Sequence, residues 1–202
     1  MKNMVWKLCL WNVMFLGLLG SVSAAQTKEQ EKQDAEAKKF TRIKLGDTSA
    51  VPGQPALVPI YLTPAEGVEV GSVKMEITFV SANMKFEKLE RGIAAEMADI
   101  DLTGDIKAGK NDKGVETSTV IIQTKPSNSE PRTRGISAGL LGYMTLKVSE
   151  SGRPAVITLH TVAEVRDLGS NKPMTNVRTG DAILEVFAPG TQPAVSCFFF
   201  SH

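Results

Sequence analysis

Three carboxylates crowd the segment ADIDLTGD at residues 98–105: Asp99, Asp101 and Asp105. Calcium takes about six to eight oxygen ligands, and acidic side chains spaced along a loop are a common source of several of them. Gly104 would let such a loop turn tightly, so these three aspartates are the candidate metal ligands. The helix–loop–helix frame of the common calcium loop is absent, and an ordinary acidic loop has the same composition. Tyr61 and Tyr143 suggest a second chemistry, stacking on the flat faces of sugar rings, because tyrosine joins an apolar ring to a polar tip. Thr117, Thr119, Tyr143 and Thr145 suit a third, hydrogen bonding across a flat protein interface. Threonine and tyrosine are also simply good strand formers, so the same residues fit a plain sheet surface.

Catalysis finds little support. The histidines are His160 and His202. His160 follows Ile157 and Leu159 and is expected to point outward from a strand, whereas a general base needs a partner that orients and tunes it. There is no nucleophile-elbow sequence and no histidine-containing metal motif. Glu87 and Glu90 alternate with Lys85 and Lys88 and read as a solvated strand end. The expectation is a protein that is not an enzyme and needs no cofactor beyond that candidate calcium ion.

The elements that must position these residues are strands. In GSVKMEITFV at residues 71–80, Val73, Met75, Ile77 and Phe79 fall on one face and Lys74, Glu76 and Thr78 on the other. Strict alternation of this length marks a half-buried antiparallel strand. After a short turn the pattern resumes with Met84, Phe86 and Leu89. Further strands are expected over residues 40–45, 56–62, 115–124, 140–148, 155–165 and 181–187. In the last of these, either Ile183 and Phe187 or Ala182, Leu184 and Val186 face inward. Residues 93–100 could form one short helix crossing between strands. Evenly spaced strands with Gly, Pro, Asn and Asp turns predict an all-β, antiparallel sandwich of about nine strands over residues 40–187.

The ends differ in character. Lys2 and Lys7, an apolar run over residues 8–19 and small residues at 21–25 have the layout of a secretory signal peptide, with cleavage near Ala24-Ala25. Cleavage would remove Trp6, Trp11 and Cys9, leaving Cys197 as the one thiol and no internal disulfide. Localisation is then secreted or associated with the cell envelope. Residues 26–39, QTKEQEKQDAEAKK, read as a charged spacer. Residues 188–202 are a linker and an apolar tail in which Cys197 precedes three phenylalanines. The tail is either a modified tether, with Cys197 as its modification site and the only contact with a membrane, or a segment packed back on the domain. The formal charge of the full chain is +1, and removing Lys2 and Lys7 with the signal leaves 21 basic against 22 acidic residues, so nothing in the charge balance suggests nucleic acid or an anionic membrane surface as the main partner.

The succession of segments resembles the cohesin family. GDTSAVPG (46–53) followed by LVPIYL (57–62) is similar to the first two cohesin strands and their Pro-Gly turn. Residues 71–89 are similar to the next strand pair, with FVSAN (79–83) where cohesins usually carry an aromatic-Asp-Pro turn. GLLGYMTLKV (139–148), PAVITLH (154–160), NKP (171–173) and GDAILEV (180–186) follow in the family's order. The resemblance implies a jelly-roll sandwich that binds a dockerin-like protein domain, itself folded around calcium, in extracellular polysaccharide breakdown. It also implies that the weakly matching residues 91–134 supply strands of the partner-gripping face. A direct carbohydrate-binding module of the same fold, or an envelope-tethered structural protein, are the alternatives.

Overall fold

In the computed structural model the described residues are 36, 38–128 and 133–191. The expected signal peptide, nearly all of the charged spacer, and the tail with Cys197 lie outside them. Of the first 39 residues, the described ones form a turn in which the Lys39 N–H donates to the Glu36 carbonyl at 3.2 Å, with an ion pair between the same residues at 3.6 Å. No helix among the described residues is long and apolar enough to cross a membrane.

Among the described residues, the domain that begins at Phe40 has eleven strands and one short helix. In chain order these are β1 (Thr41–Leu45), β2 (Thr48–Ala50), β3 (Pro55–Thr63), β4 (Val70–Val80) and β5 (Met84–Arg91). The helix α1 (Ile93–Met97) follows, then β6 (Ile100–Lys110), β7 (Glu116–Pro126), β8 (Gly139–Val148), β9 (Ala155–Asp167), β10 (Val177–Gly180) and β11 (Ala182–Val186). They form a five-stranded sheet, β10-β1-β3-β8-β5, and a six-stranded sheet, β2-β11-β9-β4-β7-β6. This is the expected sandwich, with two refinements. The sheets are mixed, because β1 runs parallel to β10 and β2 parallel to β11. The strand count rises because β2, β6 and β10 were not expected, β2 arising where the first segment breaks away from β1.

That break has a local cause. The chain leaves the five-stranded sheet at Gly46 and joins the six-stranded sheet at Thr48, so one segment serves both, as an inner strand of the first and an edge strand of the second. A Cβ on Gly46 would meet the Pro59 ring and approach the Tyr61 ring, and its N–H donates to the Pro59 carbonyl at 2.8 Å. Only glycine allows so close an approach of two backbones. Asp47 then fixes the far side of the corner by accepting the Ile183 N–H at 2.8 Å.

Alternation places the core as expected. Val73, Met75, Ile77 and Phe79 of β4 are buried against Met144, Leu146 and Val148 of β8, within one hydrophobic cluster. For β11 the open question resolves: Ala182, Leu184 and Val186 face inward and Ile183 faces out. At roughly 25 cal/mol per Å2, each such fully buried aliphatic side chain contributes about 2 kcal/mol of transfer energy. The helix α1 is shorter than residues 93–100: it buries Ala94 and Ala95, and Asp99 ends it in a left-handed conformation at φ 55°.

Candidate functional site

Antiparallel register decides which outward side chains share a surface, since residues directly opposite point to the same side of a sheet. On the six-stranded sheet, His160 of β9, Thr78 of β4, Thr119 of β7 and Lys107 of β6 form one row. The hydroxyls of Thr78 and Thr119 are hydrogen bonded at 2.8 Å. Thr117 lies two residues along β7, opposite Val80. Beside this polar row stand apolar side chains with unusual exposure: Val156 at 67%, Val162 at 70%, Ile183 at 47% and Val80 at 37%. Thr78, Val80, Thr117, Val156, Thr158 and His160 line an open groove of about 480 Å3 at one end of the face.

The sequence placed Thr117, Thr119, Tyr143 and Thr145 together as one partner-binding set. The structure separates them. Thr117 and Thr119 lie on the outer face of the six-stranded sheet, whereas Tyr143 and Thr145 belong to β8 and face outward from the five-stranded sheet on the opposite side of the sandwich. Thr145 is also not available to a partner, being 3% exposed between Leu57 and Lys88, and its hydroxyl makes no hydrogen bond. A buried hydroxyl without a partner carries a desolvation penalty, so Thr145→Val is expected to be neutral or to stabilise by up to about 1 kcal/mol in denaturant unfolding. A loss of 2 kcal/mol or so would show that the hydroxyl does have a partner.

Tyr61 and Tyr143, by contrast, are brought together. Both face out of the five-stranded sheet, on neighbouring strands, with Pro59 directly opposite Tyr143 and Tyr61 two residues beyond it. That diagonal relation corresponds to about 7–8 Å.

The calcium expectation fails on geometry. The acidic segment is not a loop: Ile100 starts β6, so Asp101 and Asp105 are held about 13 Å apart along an extended strand. Asp101 is taken by Arg91 at 3.0 Å, and Asp99 accepts from the Asn128 amide at 2.6 Å. Among the described residues no group of His, Cys, Asp and Glu could hold a metal ion.

His160 does have an orienting partner that the sequence did not suggest. Its Nδ1 lies 2.8 Å from one oxygen of Asp181, while the other oxygen accepts the Thr161 N–H at 2.9 Å. This ties the start of β11 to β9. The Thr161 N–H first, and then His160, hold the Asp181 carboxyl below the usual carboxylate range. A carboxyl lowered by folding adds stability above its unfolded value of about 3.9, which is lost as pH falls through the folded value. Asp181→Asn should therefore lower the melting temperature at neutral pH, with the gap closing in acid below about pH 3.9. A gap constant down to strong acid would contradict this.

The chain is thus a β-sandwich of two mixed sheets, the larger of which turns an open, partly apolar face to solvent. Among solved structures the likeness is to cohesins. The third cohesin of ScaC from Acetivibrio cellulolyticus, solved in complex with the ScaB dockerin, matches with a TM-score of 0.55 at 20% identity, covering 74% of this chain and 100% of that one. The seventh ScaB type I cohesin from Pseudobacteroides cellulosolvens matches at 0.54 and 15% identity, over 81% and 99% of the two chains. A non-cellulosomal cohesin from the hyperthermophilic archaeon Archaeoglobus fulgidus matches at 0.50 and 16%, over 73% and 91%. No protein-family model matches the sequence, and no curated protein matches it. The fold is cohesin-like.

Proposed function

We propose that this chain is a non-catalytic docking module that holds a dockerin-type protein domain on the outer face of its six-stranded sheet. The observation that carries this reading is the exposure of Val80, Val156 and Ile183 around Thr158 at one end of the face and of Val162 further along β9, beside the Thr78–Thr119 hydroxyl pair on a regular sheet. Exposed apolar residues ringed by hydrogen-bonding groups are the composition of an interface core and rim. Size supports it as well. Five strands from β11 to β6 at about 4.8 Å spacing, with strands of about 35 Å, give on the order of 700 Å2, near the roughly 800 Å2 per partner of a standard interface. Cohesins of the same fold have been solved with dockerins bound, which supports the partner class.

In this reading the protein is exported through a signal peptide ending near Ala24-Ala25 and works beside extracellular polysaccharide breakdown. The partner is folded around calcium. The test is capture by the immobilised full chain from the secretome of the source organism, first with calcium and then with EDTA. The reading predicts a captured protein that carries a calcium-loop repeat and is released by EDTA. Capture that is indifferent to EDTA, or no capture at all, would count against it.

A further inference from the structure

The other outer face of the sandwich has a different chemistry. On the five-stranded sheet, Arg42 and Arg178 are register partners of the parallel pair β1–β10, and Lys85 and Lys147 are directly opposite on β5 and β8. Like charges placed opposite one another destabilise a sheet. Two such pairs, at opposite corners of one face, are not what stability alone would select. None of Arg42, Lys85 and Lys147 makes an ion pair among the described residues, and Arg178 lies over the Phe40 ring at 3.5 Å. The carboxylates nearby are Glu87 and Glu90 of β5, and Glu90 is engaged by Lys88 at 3.0 Å. On the six-stranded sheet, by contrast, Lys74 and Arg166 are matched by Glu76 at 3.9 Å and Glu164 at 2.7 Å. A chain that is nearly neutral overall therefore has one basic face.

Between the two cation pairs lie the aromatic rings. The register draws a continuous diagonal: Arg42 and Arg178 beside Thr63, Lys44 beside Tyr61, Tyr143 beside Pro59, Lys88 beside Thr145, and Lys147 beside Pro55. Along β3 this track covers eight residue steps, about 27 Å, enough for roughly five sugar units of an extended polymer. We infer that this face binds an acidic polysaccharide, with Tyr61 and Tyr143 stacking on sugar rings and the flanking Arg and Lys side chains pairing with uronate or sulfate groups. Charge complementarity selects an acidic glycan over a neutral one, because stacking by two half-buried tyrosines leaves Arg42, Lys44, Lys85 and Lys147 without a role. This surface is separate from the docking face, so the two activities are independent.

The test is affinity electrophoresis of the full chain through gels containing polygalacturonate, neutral galactan or single-stranded DNA. Retardation by polygalacturonate, weakening with salt, is expected, with little by galactan. Arg42→Glu and Lys147→Glu should each weaken it roughly tenfold, while raising thermal stability by relieving a like-charge pair. Tyr61→Ala and Tyr143→Ala should weaken it severalfold, and Lys113→Glu, the same charge change at the exposed β6–β7 turn, should leave it unchanged. The inference is overturned if polygalacturonate does not retard the chain, if Lys113→Glu weakens it as much as Lys147→Glu, or if single-stranded DNA retards it more strongly and the tyrosine variants do not matter.

Discussion

Val162→Asp should weaken dockerin-type binding about a hundredfold or more while leaving the fold intact. Val162 is 70% exposed on β9, so its side chain contributes little to the core. Surface substitutions of this kind usually change stability by no more than about 0.5 kcal/mol. In a complex the position would be covered, and the new carboxylate would lie opposite Glu76, whose ion-pair partner Lys74 the two carboxylates would have to share. A charge buried without a partner at an interface costs about 2–5 kcal/mol, and 2.7 kcal/mol or so corresponds to a hundredfold in Kd. Titration calorimetry of the captured partner against both proteins, with melting curves alongside, measures the two effects separately. Unchanged affinity would remove Val162 from the interface and the proposed face with it.

Phe79→Ala should have the largest effect on stability. Phe79 is 1% exposed, at the end of β4 in the central part of the six-stranded sheet, and it packs within the one large apolar cluster. Removing a buried aromatic ring costs about 3–5 kcal/mol, because lost transfer energy is joined by the cavity that remains. For a domain of this size the melting temperature should fall by on the order of 10 °C. Denaturant unfolding should show a lower midpoint with an unchanged slope. Phe79 sits between Thr78 and Val80 of the docking face, so binding by the folded fraction should persist. A loss below 1 kcal/mol would mean that the core closes around the vacancy far better than such cores do.

The sandwich was legible wherever a strand buries one face. β4 and β3 alternate along their whole length, and the observed bounds lie within two residues of those read from the sequence. β6 escaped because it has no such alternation. From Gly104 to Lys110 both of its faces are exposed, so no inward stripe exists, and Gly, Asp and Lys in that stretch read as a loop. The same error produced the calcium expectation, since a loop could have gathered Asp99, Asp101 and Asp105 where a strand spreads them out.

The site was only half legible for a different reason. Alternation tells which way a side chain points relative to its own strand, not which sheet the strand joins. Thr119 and Tyr143 were both correctly read as outward, yet they sit on opposite faces because β7 and β8 enter different sheets. Val156, Val162 and Ile183 were overlooked because isolated β-branched residues in a strand look like ordinary strand formers. Their signal was present but faint: they occupy positions out of phase with the buried set Ile157, Leu159 and Leu184. The pairing of His160 with Asp181 spans 21 residues and follows only from β9 lying beside β11.

The most direct test of the docking account is hydroxyl-radical footprinting of the chain alone and with its calcium-loaded partner bound. His160 and the two tyrosines are reactive reporters on opposite faces of the sandwich. The account predicts strong protection of His160, Val162 and Ile183, with Tyr61 and Tyr143 as reactive as in the free protein. Protection of the tyrosines with His160 left open would contradict it, and would assign the partner to the basic face instead.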